Sequence, residues 1–321
     1  MQILMSDLKK IKIGFFGTPN FSLNILKKLK NSDIEIKYVV TQPPSSSGRG
    51  QRDNLSVVHK WSKLNSYRVF CPKKVGDKKF ISIIKNIEVD IIIVVAYGQI
   101  INNEILEYPK VMSINVHASL LPRWRGAAPI QRAIQHGDFF SGISIMKMVQ
   151  KLDAGPVLAK KKVNILDSDN SKTLHDKLAV LGGELLLEVL VRIKKGKYTL
   201  INQTENKVTY ARKIQKKEAK IDWGMNADEI NRLIRAFNPY PGAWTNMIQE
   251  KEYRIKILES EVIDNFDEIS ENEATGYCTS SLVVKCGYKF LKILKIQKEG
   301  KRVMTNVEFV NGYKIYDSIL D

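Results

Sequence analysis

Residues 89–95 form an almost unbroken run of valine and isoleucine, and this run sets the strongest limit on the fold. β-Branched side chains favour extended backbone, and a continuous apolar run is typical of a strand buried on both faces. Such strands occur almost only in parallel sheets that carry helices on both sides. The run is too short to cross a bilayer, so we expect no membrane association.

Further apolar segments on both sides of this run predict a larger sheet. Strand patterns lie at residues 11–16, 34–40, 69–70, 111–116, 143–148 and 157–163. Helical spacing lies at residues 21–29, 57–64, 127–135 and 171–195. We expect Asn20 and Ser171 to cap the helices that follow them. This alternation predicts an α/β fold with a doubly wound, mostly parallel, Rossmann-like sheet.

The pattern changes after residue 203, which predicts a second, smaller domain. Residues 204–221 hold six basic and two acidic side chains and read as a basic linker. Beyond it, short β-rich segments separated by glycine and asparagine turns are typical of a small OB-like β-barrel. These segments lie at residues 254–258, 282–286, 290–296 and 307–309. We therefore predict a catalytic domain at residues 1–203, the linker, and a barrel domain at residues 222–321.

The net charge of +17 favours a polyanionic partner. Residues 1–203 hold 32 basic and 16 acidic side chains, whereas residues 222–321 hold 13 and 16. The excess of positive charge therefore lies in the first domain and the linker. A lysine-rich proteome would produce the same excess, so charge alone leaves the partner open.

The three cysteines, Cys71, Cys278 and Cys286, have no pairwise spacing typical of metal ligands. Their odd number and scatter fit reduced thiols in a cytoplasmic protein, and the first residues lack a signal-peptide pattern. We expect no metal. Gly14 and Gly17 flank a Phe-Phe pair ahead of Thr18 and Pro19, which is not the dinucleotide-binding fingerprint.

Asn115 and His117 are the sharpest candidates for chemistry. They end the strand predicted at residues 111–116, and ligands of open α/β sheets bind beyond the carboxyl ends of strands. Strand alternation places both side chains on one face. A carboxamide and an imidazole that converge on one point suit acyl transfer, where the attacked carbonyl oxygen becomes negative. The alternative is a histidine that only terminates a strand.

Asp153 lies in a turn between the strands predicted at residues 143–148 and 157–163. A carboxylate there would reach over the edge of the sheet and orient His117. The alternative is an aspartate that stabilises its own turn.

Residues 119–130, with the sequence SLLPRWRGAAPI, resemble the signature of the formyltetrahydrofolate-dependent formyltransferases. The resemblance extends to residues 17–19 with Phe21, and to residues 96–98, 115–117, 152–153, 221–223 and 234–239. Within that family the chain most resembles members that act on charged tRNA. The resemblance implies transfer of a formyl group from 10-formyltetrahydrofolate to the free amino group of methionyl-initiator tRNA, for translation initiation.

The same resemblance implies roles for individual residues. Asn115 and His117 would stabilise the tetrahedral oxyanion, and Asp153 would orient and tune His117. The implied folate-binding residues are Ser119, Leu120, Leu121, Pro122, Ala96, Tyr97 and Gly98. The departures from the family pattern are Asn20, Ala118 and Pro156, and Pro156 weakens the expected folate contacts of the Asp153 loop.

The loop at residues 42–53 resembles a family insertion that enters the acceptor end of tRNA. The residues expected to bind tRNA are Arg49, Arg52, Lys213, Lys216, Lys217 and Lys220. A surface loop without function is the alternative. The family also implies that the barrel helps to hold tRNA, although its negative charge shifts phosphate binding toward the linker. We expect a monomer.

Two other functions remain open at this point. One is formylation of an amino-sugar nucleotide, which would need neither the insertion around Arg49 nor the basic first domain. The other is a non-catalytic RNA-binding protein on the same scaffold, against which the complete set of Asn115, His117 and Asp153 argues.

Overall fold

The computed structural model describes residues 8, 10–47, 52–249, 251–313 and 318–321. Within them the chain forms two compact units. The first comprises the described part of Met1–Pro129 with Phe140–Asn164 and His175–Ala211. The second comprises Ile130–Phe139, Ile165–Leu174 and the described part of Arg212–Asp321. No helix in these described ranges is both long and apolar enough to span a membrane.

The strands and helices are numbered separately along the chain. The strands before residue 212 are β1 (Lys12–Gly17), β2 (Glu35–Val40), β3 (Ser45–Ser47), β4 (Arg52–Asn54), β5 (Val69–Phe70), β6 (Ile91–Val95), β7 (Met112–His117), β8 (Arg125–Gly126), β9 (Phe140–Lys147), β10 (Val157–Asn164) and β11 (Tyr210–Ala211). The helices are α1 (Asn20–Lys30), α2 (Val57–Leu64), α3 (Lys78–Lys85), α4 (Asn103–Leu106), α5 (Pro129–Gln135), α6 (Ser171–Lys194), α7 (Ala227–Phe237) and α8 (Asn306–Gly312).

A seven-stranded sheet forms the centre of the first unit, in the order β10, β9, β7, β6, β1, β2, β5. The five strands from β7 to β5 are parallel, and β9 and β10 are antiparallel additions at one edge. Every residue of β6 is buried, as its valine and isoleucine sequence predicts. The prediction of a mostly parallel α/β sheet is therefore confirmed.

Two predicted helix caps were wrong. Asn20 is the first residue of α1, whose N-cap position is Pro19, and no side chain caps that helix. At α6 the cap is Asn170, whose Oδ1 accepts hydrogen bonds from the backbone N–H groups of Lys172 and Thr173. Ser171 instead donates its hydroxyl to the carbonyl of Asn238. In both cases the true boundary lies one residue before the expected cap.

Gly14 and Gly17 serve close packing in the first unit. A Cβ at Gly14 would lie 2.4 Å from the ring of Tyr38, and one at Gly17 would lie 2.6 Å from Cβ of Ser22. The fully buried Tyr38 packs with Phe16 in the cluster that joins β1, β2 and β6 to α3 and α4. The absence of side chains at these glycines therefore lets neighbouring elements approach.

The second unit is built around a closed barrel of six strands. Its strands are β12 (Ala243–Ile248), β13 (Glu252–Ile263), β14 (Tyr277–Cys278), β15 (Val283–Lys285), β16 (Phe290–Lys298) and β18 (Ser318–Leu320). They follow the order β13, β12, β18, β14, β15, β16, and pairing of β13 with β16 closes the ring. The short β17 (Val303–Thr305) pairs with β16. The predicted small barrel is therefore confirmed.

The strand predicted at residues 307–309 was wrong, because this segment lies in α8. The sequence Val-Glu-Phe-Val alternates like a strand, and that alternation misled the prediction. A reciprocal capping box starts the helix. Thr305 Oγ1 accepts from the N–H of Glu308, and Glu308 Oε2 accepts from the N–H of Thr305.

Candidate active site

Asn115 and His117 lie at the carboxyl end of β7, between β6 and β9. Asn115 is opposite Val94 on β6 and Met146 on β9, and His117 is opposite Ser144 on β9. The two side chains are two residues apart on one strand, so they share a face of the sheet. Both are buried, which shields their electrostatic interactions from solvent.

Asp153 meets both of these side chains. Its Oδ2 lies 3.6 Å from Nδ1 of His117, and its Oδ1 accepts a hydrogen bond of 3.5 Å from Nδ2 of Asn115. The side chains of His117 and Asp153 are only 7% and 10% exposed. The three residues predicted from the sequence therefore lie together. The contact between Asp153 and His117 is slightly longer than a hydrogen bond.

The other ring nitrogen of His117 fixes the position of the proton. Nε2 lies 2.9 Å from the carbonyl oxygen of Trp124. A carbonyl can only accept, so Nε2 carries the hydrogen in this contact. In the neutral ring, Nδ1 then holds the lone pair that faces Asp153.

The backbone around Asp153 brings its carboxylate into the site. Asp153 has a left-handed conformation with φ of 48°, which aspartate tolerates better than most residues. The N–H of Gly126 donates a hydrogen bond of 2.8 Å to Oδ2. Gly126 and Asn115 thus each donate a hydrogen bond to the carboxyl group, one to each oxygen.

The turn at Ala96, Tyr97 and Gly98 follows β6 at the same edge of the sheet. Ala96 and Gly98 are exposed, whereas Tyr97 is buried in the core. Its hydroxyl has no hydrogen-bond partner among the described residues, and its carbonyl accepts from Thr18 and Gln42. The turn would therefore offer backbone, rather than the tyrosine ring, to a ligand.

The segment from Ser119 to Pro122 follows β7 and is tied to the site by its own contacts. Ser119 Oγ donates to the carbonyl of Arg123, and Ser144 Oγ donates to the carbonyl of Ser119. Leu121 is buried, and Leu120 and Pro122 are partly exposed. Lys160 Nζ donates to the carbonyl of Leu121. The partly exposed side chains are the ones available to a ligand.

The basic residues proposed for tRNA fall in different parts of the chain. Arg49 lies outside the described residues, and Arg52 lies on β4, which pairs with β3 in a hairpin. In the second unit the four candidate lysines are exposed; they are Lys213, Lys216, Lys217 and Lys220. Lys220 also lies 3.5 Å from a carboxylate oxygen of Asp321.

Sequence reasoning missed the backbone groups that complete the site. The Trp124 carbonyl and the Gly126 amide both belong to the family signature, yet nothing in residue type reveals which atom a backbone segment presents. No cluster of three or more His, Cys, Asp or Glu side chains that would suit a metal ion occurs in the described part of the chain.

Comparison with known families places the chain in a group of enzymes. The model of the formyl transferase family matches residues 9–190. The model of the formyl transferase C-terminal domain matches residues 213–314.

Full-length relatives agree with this match. A methionyl-tRNA formyltransferase of Caulobacter vibrioides is 41% identical over 306 residues, which cover 95% of this chain and 98% of the relative. A methionyl-tRNA formyltransferase of Dictyoglomus turgidum is 43% identical over 312 residues, which cover 95% of this chain and 97% of the relative.

Solved structures support the fold. The sugar 3N-formyltransferase WlaRD aligns over 91% of this chain and 99% of its own, with a TM-score of 0.62 and 22% identity. HypX from Aquifex aeolicus in complex with tetrahydrofolic acid aligns over 92% of this chain, with a TM-score of 0.62 and 14% identity. This chain spans only 46% of HypX. With the family models and the relatives above, these findings show that the chain is an enzyme of the formyl transferase family and belongs with the methionyl-tRNA formyltransferases.

Proposed function

We propose that this enzyme transfers the formyl group of 10-formyltetrahydrofolate to the free amino group of methionyl-initiator tRNA. The observation that carries the proposal is the meeting of Asn115, His117 and Asp153 at the carboxyl end of β7. Membership of the family supplies the type of group transferred, and the curated relatives, named methionyl-tRNA formyltransferases, support the acceptor.

Asn115 suits stabilisation of the tetrahedral oxyanion. Attack of a neutral amine on the formyl carbon forms a C–N bond and places negative charge on the formyl oxygen. One hydrogen of the Asn115 amide is directed at Asp153. An amide NH2 has two hydrogens, so the other is free to donate to that oxygen. Because the site is buried, such a donor is worth more there than in water.

His117 suits proton transfer through Nδ1. The hydrogen bond to Trp124 keeps the proton of Nε2 in place. Nδ1 is then the nitrogen that can accept the proton lost by the attacking amine, and the charged ring can in turn stabilise the oxyanion. The reaction balances when N10 of the folate, on losing the formyl group, gains that proton.

Asp153 contacts both Asn115 and His117. Its carboxylate lies beside Nδ1 of His117 and would stabilise the imidazolium that forms during transfer. Its contact with Asn115 orients the amide at the same time. One carboxylate thus couples the orientation of the oxyanion donor to that of the proton acceptor.

The folate is proposed to bind at the carboxyl edge of the parallel sheet. The turn at residues 96–98 and the segment at residues 119–122 follow the adjacent parallel strands β6 and β7, so both lie at this edge. The tetrahydrofolic acid complex of HypX, a protein of related fold, agrees with a folate co-substrate. The 10-formyl isomer is favoured because its N10 is arylamine-like, which makes the formyl carbon readily attacked.

The tRNA is proposed to bind through basic side chains that come before and after the catalytic residues in the sequence. Arg49 and Arg52 would contact the acceptor end, where the first base pair opens easily. The exposed lysines at positions 213, 216, 217 and 220 would contact phosphates. The barrel would help to hold the tRNA.

A substrate comparison with purified protein tests this proposal. Formyl transfer from 10-formyltetrahydrofolate is measured with methionyl-initiator tRNA, uncharged initiator tRNA and a dTDP-linked amino sugar. We expect transfer only to the charged tRNA, and none when 5-formyltetrahydrofolate replaces the donor. Faster transfer to the amino sugar than to the charged tRNA would contradict the proposed acceptor.

A further inference from the structure

The loop that positions Asp153 has little structure of its own. Residues 148–156 join β9 to β10 without a helix or strand. Lys151 and Leu152 are exposed, and Asp153 adopts a left-handed backbone conformation. A loop with few buried side chains and an unfavourable dihedral needs specific contacts to remain in one conformation.

Gln203 supplies such contacts from a distant part of the chain. Its Nε2 donates hydrogen bonds of 2.8 Å to the carbonyl of Asp153 and 2.7 Å to the carbonyl of Gly155. Both amide hydrogens are therefore used on the same loop. The loop also passes close to β9, because a Cβ at Gly155 would lie 1.8 Å from the carbonyl oxygen of Lys147.

Arg125 fixes the orientation of the Gln203 amide. Its Nε donates a hydrogen bond of 3.0 Å to Oε1 of Gln203. A guanidinium only donates, so Oε1 must face Arg125 and Nε2 must face the two carbonyls. The amide cannot turn over without placing its hydrogens against those of the arginine.

Arg125 is itself held firmly. It is fully buried, and Nη2 donates a hydrogen bond of 2.9 Å to Oε1 of Glu205. That hydrogen bond lowers the pKa of Glu205. Nη1 has no partner within the described parts of the chain. Burial of a charged guanidinium costs desolvation free energy. The buried position of Arg125 therefore indicates a structural role at this site.

Arg125 and Gly126 together position the side chain and the backbone of Asp153. Pairing of β8 with β11 places Arg125 beside the segment that follows Gln203. The N–H of Gly126 holds the Asp153 carboxylate, and Arg125 acts through Gln203 on the Asp153 carbonyl. The side chain and the backbone of Asp153 are thus fixed from one dipeptide.

We infer that Gln203 is a positioning residue for formyl transfer and that Arg125 anchors it. Gln203 acts through Asp153, by holding the residue 148–156 loop in the conformation that presents the carboxylate to Asn115 and His117. This inference rests on the proposed function, because it assigns Gln203 a task in that reaction.

The test compares Gln203→Ala, Gln203→Glu and a matched control. Gln203→Ala removes the contacts to both carbonyls. Gln203→Glu keeps the size and can still accept from Arg125, but a carboxylate has no hydrogen to donate to the two carbonyls. Gln135→Ala is the control, since Gln135 is also partly buried and also accepts an arginine hydrogen bond, from Arg132.

Steady-state kinetics and hydrogen–deuterium exchange are measured on all three full-length variants. We expect kcat to fall about 10- to 100-fold in both Gln203 variants, with KM for folate and for tRNA within about threefold. Exchange in residues 148–156 should become faster in both. Gln135→Ala should match the wild-type enzyme in kcat and in exchange.

Two results would overturn the inference: kcat within about twofold of wild type in both Gln203 variants, or unchanged exchange in the loop. Failure of Gln203→Ala to fold leaves Gln203→Glu to decide. If the wild-type protein transfers no formyl group, the proposed function fails, and the loop exchange still decides whether Gln203 holds Asp153.

Discussion

His117 lies between two acceptors, and this sets what its ring can do. The Trp124 carbonyl takes the hydrogen of Nε2, and the Asp153 carboxylate faces Nδ1. A neutral ring satisfies only the first contact, whereas a ring with two protons satisfies both. In the proposed reaction, Nδ1 is therefore the nitrogen that would take the proton of the attacking amine.

The carboxylate of Asp153 must accept on both oxygens, which makes Asp153→Asn a sharp test. Asn115 donates to Oδ1 and Gly126 donates to Oδ2. An amide would direct its NH2 group at one of these donors, and it would carry no charge for the imidazolium. We expect kcat to fall about 100-fold or more, measured by formyl transfer at saturating substrates.

Asp33→Asn is the control for this substitution, because Asp33 is exposed and belongs to the same unit. It should leave kcat unchanged. A kcat of Asp153→Asn close to that of the control would mean that the charge of Asp153 has no part in transfer.

At the scale of elements, the helices α3 and α4 pack on the sheet, and tyrosine side chains are buried between the helices and the sheet. Tyr38 and Tyr108 form a hydrogen bond between their hydroxyls, and Tyr97 packs in the same cluster. Burial raises the pKa of Tyr38 and Tyr97, and it raises the pKa of Tyr108 to about 12. The folded protein therefore keeps these phenols protonated at pH values where an unfolded chain would lose the protons.

Stability should therefore fall at alkaline pH. A phenol with a raised pKa in the folded state contributes its full stability below the unfolded pKa of about 10 and loses it as pH rises toward the folded pKa. We expect the free energy of unfolding in urea to decrease above about pH 10. Tyr38→Phe should reduce that slope by about 1.4 kcal/mol per pH unit.

Tyr240→Phe is the control, because Tyr240 is 69% exposed and lies outside the buried cluster that holds Tyr38. Identical slopes for Tyr38→Phe and Tyr240→Phe would show that burial of Tyr38 does not govern alkaline unfolding.

Much of the fold was predictable from periodicity, and the exceptions have physical causes. The run at residues 89–95 indicated a doubly buried strand, and strand alternation placed Asn115 with His117. The segment at residues 307–309 was mistaken for a strand because a short alternating run fits either state. The capping box from Thr305 to Glu308 was the local signal that would have identified the helix.

At the scale of the whole molecule, contacts between distant segments escaped prediction. Arg125 and Gln203 are 78 residues apart in the sequence, and tertiary contacts such as the pairing of β8 with β11 bring their segments together. Neither residue has a spacing relation to Asp153 that a sequence pattern could reveal. The candidate site could therefore be predicted as three residues, but not the network that holds it.

Charge is also a property of the whole molecule, and it predicts a role for Arg49. The excess of basic residues lies before residue 222, which fits a tRNA bound to the first domain and the linker. Arg49→Ala should raise KM for methionyl-initiator tRNA several-fold and leave KM for folate unchanged, as measured by steady-state formylation.

The matched control is Lys301→Ala, which removes an exposed positive charge from the barrel turn after β16. It should raise KM for tRNA less than Arg49→Ala does, because the barrel carries a net negative charge, and it should leave KM for folate unchanged. An unchanged KM for tRNA in Arg49→Ala would remove the loop around Arg49 from tRNA recognition.

The most direct measurement is single-turnover formyl transfer to methionyl-initiator tRNA by the wild-type enzyme and His117→Ala, with folate binding measured separately by titration. We expect rapid transfer by the wild-type enzyme. In the variant we expect a loss of transfer of about 100-fold or more, with folate affinity within about threefold of wild type. Near-normal turnover in His117→Ala would contradict the assignment of proton transfer and oxyanion stabilisation to this ring.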